Sequence, residues 1–128
     1  MPEILYQHVD YQLSEFSHKY GSKVHILKSA YLLTLLSKLG NPQVVQPQLS
    51  TLLSLLYDHL LDVVISKEFP RVMTTVETRM KKTEPQGDYY GEVIDPNQKC
   101  VSVCIARAGN LPSMYVYHKL NQILKPEL

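Results

Sequence analysis

The chain has no tryptophan, two phenylalanines, two cysteines and five glycines in 128 residues, and its net charge is only +1. Each shortage excludes something. Two cysteines, Cys100 and Cys104, are too few for a disulfide framework. On one strand they share a face about 13 Å apart, beyond the reach of a disulfide or of two ligands on one zinc ion. They read as small buried residues of a reduced compartment. A net charge near zero supplies no field toward nucleic acid or an anionic membrane, and Lys81-Lys82 is too short for a nucleic-acid patch. No apolar run approaches the roughly 20 residues that a bilayer demands, and Met1-Pro2-Glu3 does not open a basic, then apolar, signal sequence. The expected location is cytoplasmic.

Other chemistries lack their spacing. His8, His18, His25, His59 and His118 stand in no zinc-ligand pattern. Ser113 lacks the Gly-x-Ser-x-Gly setting of an exposed nucleophile. Asp58 and Asp62, one helical turn apart, read as a solvated polar face rather than a shared cation site. Among nine tyrosines, Tyr89 and Tyr90 either cap a hairpin or flank a nucleotide base.

What is present is an ordinary globular balance, 45% hydrophobic and 20% charged residues, which suits one domain over residues 1–128. The periodicity changes at Phe69-Pro70, helical before and strand-like after. Leu49, Leu52, Leu53, Leu56, Leu60, Val63 and Val64 form one stripe and predict a helix over Pro47–Ser66. A second, almost wholly apolar helix is predicted over Val24–Leu39, buried on most sides, with Gly40 as a left-handed cap. Leu5, Val9, Leu13 and Phe16 allow a short amphipathic helix near the start. After Pro70, strands are predicted over Val72–Arg79, Asp88–Ile94 and Lys99–Ala106, with turns at Pro85-Gln86-Gly87 and Asp95-Pro96-Asn97. The third strand alternates Val101, Val103 and Ile105 with small residues, so both of its faces are expected to be covered. A helix over Ser113–Leu124 closes the pattern. The fold class is α/β: an N-terminal helical layer (1–69) on a partial sheet with a C-terminal helix (70–128).

The third strand ends on Arg107-Ala108-Gly109 and a helix follows. That junction, past the carboxyl end of a strand, is where open α/β sheets bind ligands. A guanidinium offers a fork of donors to two phosphate oxygens, and amides in a tight glycine turn can approach an anion closely. The alternative is that Arg107 pairs with a carboxylate on a neighbouring loop.

Thr83-Glu84-Pro85-Gln86-Gly87-Asp88-Tyr89-Tyr90-Gly91, then the Cys100–Ala106 strand, then Arg107-Ala108-Gly109 and Ser113-Met114, resembles the uracil phosphoribosyltransferases. The specific resemblance spans Arg79–Met114, and a looser one spans Val24–Leu124. It implies transfer of ribose phosphate from phosphoribosyl diphosphate to uracil, giving UMP and diphosphate, with magnesium. It also implies that Arg107 holds the diphosphate, with backbone contacts from Ala108 and Gly109. Two departures stand out. Asn110-Leu111-Pro112 separates the glycine from Ser-Met, and Tyr115 stands where that family carries an acid. The family's acidic, Gly- and Thr-rich phosphoribosyl signature has no counterpart before Leu128, since Val93-Ile94-Asp95-Pro96 leads into Asn97-Gln98-Lys99. The expectation is therefore an N-terminal portion of such an enzyme, inactive alone and associating as a homo-oligomer. The rival is a non-catalytic module for dimerisation or for sensing a phosphorylated ligand.

Overall fold

A computed structural model describes His8 and residues 10–126. The order of elements is α1 (Ala30–Leu39), α2 (Gln48–Glu68), β1 (Arg71–Glu77), a 3-10 turn (Arg79–Lys82), β2 (Asp88–Ile94) and α3 (Asn110–Leu120). Helices and a small antiparallel sheet together agree with a general α/β class.

The start of α1 is set by chemistry that periodicity does not show. The Ser29 hydroxyl accepts the Leu32 amide at 3.3 Å, a side-chain cap that fixes the first turn. The β-branched residues before it are not helical. Phe16 and Lys28 donate to Ile26 and Ser14 at 2.9 Å, so residues 14–16 lie antiparallel to 26–28 around a Glu15–Leu27 bridge. The helix predicted from Val24 therefore begins at Ala30. Leu13 and Phe16 lie outside any helix, which corrects the short amphipathic helix drawn there; Leu5 and Val9 fall outside the described residues. Gly40 caps α1 at φ −77°, in the right-handed region, and its amide returns to Leu36.

α2 follows its predicted stripe. Leu52 and Val63 are buried with Leu35 of α1 and Ile65, and these four make the buried hydrophobic core among the described residues. α2 packs against both α1 and α3. By length and composition α2 is apolar enough to cross a membrane, which corrects the expectation that no segment is. Asp58 and Asp62 interrupt its middle, and a charge at the centre of a bilayer costs about 2.5–3.5 kcal/mol. Asp58 is also tied to α3: Lys119 Nζ donates to its backbone oxygen and to Oδ1, both at 2.8 Å.

β1 and β2 pair antiparallel, Arg71 opposite Ile94, Thr74 opposite Gly91 and Glu77 opposite Asp88. The connection is closed by side chains. Thr78 Oγ1 donates to the Gly87 oxygen, and Lys81 Nζ meets Asp88 Oδ2 at 2.5 Å. Gly87 is required by space, because a Cβ there would lie 2.9 Å from the Glu84 oxygen and 3.0 Å from the Met80 carbonyl carbon. Beyond β2, Asp95 Oδ1 accepts the Asn97 amide at 2.9 Å, the side-chain-bonded turn expected of Asp95-Pro96-Asn97.

The third predicted strand does not form. Residues 98–105 are neither helix nor strand, and the sheet has two strands. Val101, Val103 and Ile105 are 87%, 81% and 79% exposed, where coverage on both faces was expected. The cysteines, read as small buried residues, are exposed as well. The physical reason is the lack of a partner. A strand is stable only beside another, and among the described residues no backbone hydrogen bond engages residues 99–104.

α3 starts at Asn110 rather than Ser113 and ends at Leu120. Pro112 lies in its first turn, where a missing amide costs nothing.

Candidate functional site

Arg107, Ala108 and Gly109 occupy one turn, residues 106–109, that delivers the chain into α3. Its shape follows from the glycine. A Cβ at Gly109 would sit 2.6 Å from the Ile105 oxygen and 2.8 Å from the Ile105 nitrogen, so only glycine lets the backbone close on itself. The Gly109 amide then donates to the Ile105 oxygen at 2.8 Å, and the Asn110 amide to the Arg107 oxygen at 3.0 Å. The Cys104 thiol donates to Asn110 Oδ1 at 3.0 Å and adds a side-chain tie. The glycine amide expected to face a diphosphate is thus spent inside the turn. Its smallness serves the approach of Ile105.

The Arg107 side chain is exposed and makes no ion pair with any described residue. The alternative of a carboxylate partner on a neighbouring loop therefore finds no support among those residues. Arg107 stands just before the N-terminal end of α3, where the helix dipole adds positive potential and no side chain caps the orphan amides.

Clefts form elsewhere. One, of about 370 Å³, lies between Gln98–Ser102 and the end of α3, lined by Lys99, Cys100, Tyr117, Leu120 and Lys125 among others. Another, of about 480 Å³, separates α2 from α3 and holds Ser54, Asp58, Tyr115, His118 and Lys119. Neither is lined by Arg107, Ala108 or Gly109. The rim of a sheet, where the turn was expected, is absent because the third strand is absent.

The other sequence candidates have local explanations. Asp58 pairs with Lys119, and Asp62 Oδ1 accepts the Ser66 hydroxyl at 3.1 Å. Tyr89 donates its hydroxyl to the Glu92 backbone oxygen at 2.8 Å, a contact within the hairpin. His25 contacts Glu15 beside the bridge that precedes α1. Among the described residues no three of His, Cys, Asp or Glu converge as metal ligands.

The tie between Lys119 and Asp58, 61 positions apart, was invisible in the sequence. No protein-family model, no curated protein and no solved structure matches this chain.

Proposed function

We propose that this chain is the anion-holding portion of a uracil phosphoribosyltransferase, with Arg107 as the ligand of the diphosphate of phosphoribosyl diphosphate. The observation that carries the reading is an exposed guanidinium, unpaired among the described residues, on the turn that opens α3. The order of motifs over Arg79–Met114 supports the substrate class. Displacement at the anomeric carbon of ribose builds oxocarbenium character on the sugar and negative charge on the departing diphosphate. A fixed guanidinium stabilises that charge as it develops. With the Gly109 and Asn110 amides engaged in the turn, the side chain of Arg107 and the backbone of Ala108 are the groups left to meet the anion.

Calorimetric titration with diphosphate tests this. The chain binds it, and Arg107→Ala weakens binding about tenfold, from loss of about 1.5 kcal/mol of charge-assisted hydrogen bonding. Equal affinity of the two proteins overturns the assignment.

A second reading is a non-catalytic module that dimerises through its apolar surface and senses a phosphorylated ligand at the Arg107 turn, favoured by a core of only four buried apolar side chains while Leu33, Leu36 and Val103 are exposed. Both readings predict diphosphate binding. Only the first predicts that UMP forms from uracil and phosphoribosyl diphosphate when the carboxyl-terminal half of a uracil phosphoribosyltransferase is supplied.

A further inference from the structure

The most exposed of the large apolar side chains lie on a stretch with no structure of its own. Between Lys99 and Arg107 the sequence is Cys-Val-Ser-Val-Cys-Ile-Ala, seven residues without a charge. Val101, Val103 and Ile105 are about four-fifths or more exposed, and the backbone of residues 99–104 bonds to no described backbone group. In strand geometry these three side chains share one face. A strand with unpaired amides and an apolar face is a template for another strand.

The whole chain has surface to spare. It exposes 10294 Å² at a mass of 14.7 kDa. A compact monomer of that mass exposes about 6,900 Å², which leaves an excess of about 3,400 Å². A standard interface takes about 800 Å² from each partner, and an obligate one about 1,000–2,500 Å². The excess meets that demand, and a net charge of +1 sets little repulsion between two copies.

We propose that a second copy of this chain covers the stretch, the two copies pairing as antiparallel strands about a two-fold axis at Val103. The pattern is self-complementary there. Val103 faces Val103, Val101 faces Ile105, and Cys104 faces Ser102, as an isologous contact requires. Moving the axis to Ser102 would set Ile105 against Lys99, a poorer match. Lys99 of each copy then stands opposite Arg107 of the other at the two ends of the paired stretch, a like-charge contact that costs up to about 1 kcal/mol at each end and is screened by solvent, while residues 101–105 between them carry the match. The inference does not depend on the proposed activity.

Sedimentation velocity and cross-linking of the full chain test it. The wild-type protein sediments as a dimer at micromolar concentration. Val103→Asp sets two carboxylates on the axis and shifts it to monomer with an unchanged helical circular dichroism spectrum. Should that variant precipitate, the register is read by thiols in a Cys100→Ser/Cys104→Ser background. There Val103→Cys joins two chains rapidly with a short bismaleimide. Val101→Cys does not, because the two thiols lie about 14 Å apart along the strands. A monomeric wild-type protein, open-ended aggregates, a Val103→Asp dimer, or equal cross-linking of both cysteine variants overturns the proposal.

Discussion

β2 and the stretch from Lys99 to Ile105 carry the same kind of sequence and meet different fates. Both are short and rich in residues that favour strands, and both follow a turn built on proline. β2 lies in register with β1 along its full length. The later stretch pairs with no described segment and holds its apolar residues in water. The difference is supply of a partner. β1 and β2 are joined by a short connection braced by Thr78, Gly87, Lys81 and Asp88, so closing the loop between them costs little entropy. The stretch before Arg107 has no such neighbour. Alternation specifies the faces of a strand; it does not name what lies beside it.

Hydrogen exchange offers the largest contrast. In the Val103→Asp chain, where no second copy covers the stretch, interior amides of the β1–β2 ladder exchange on the order of 100-fold more slowly than those of Cys100–Cys104. Uniform rates across both would erase the distinction. A smaller effect comes from Gly87→Ala, whose Cβ meets the Glu84 and Met80 backbones. It destabilises the hairpin by about 1–3 kcal/mol, read as a lower urea midpoint. Protection at Asp88–Ile94 should fall toward that of the unpaired stretch while the helical signal persists. The mildest is Lys81→Met. The pair it breaks is partly exposed, so its loss costs about 0.2–1 kcal/mol by the same urea assay. A larger loss would show that the side-chain brace, rather than the ladder, holds β1 against β2.

Much of the fold was legible where each residue's partner lay close in the chain. The stripe through Leu52 and Val63 identified α2 to within a few residues, and β2 matched its predicted span. Errors arose where a single side chain overruled periodicity. Ser29 moved the start of α1, and Pro112, taken as outside a helix, proved to fit its first turn. Arg107, Ala108 and Gly109 were rightly read as one turn entering a helix. What could not be read were the clefts and the tie between Lys119 and Asp58, which depend on contacts between distant segments. The part Gly109 plays in closing the turn was not legible either: its missing side chain makes room for Ile105.

The Lys125 amide donates to the Pro96 oxygen at 2.9 Å, so the chain leaves β2 and returns to the same point after α3. With the Gly109 amide bonded to the Ile105 oxygen at 2.8 Å, the stretch before Arg107 is an arch with one foot beside Pro96 and the other at the turn that opens α3, not a loose thread. An arch has already surrendered much of its conformational freedom, and whatever settles along its crown meets a surface partly ordered in advance.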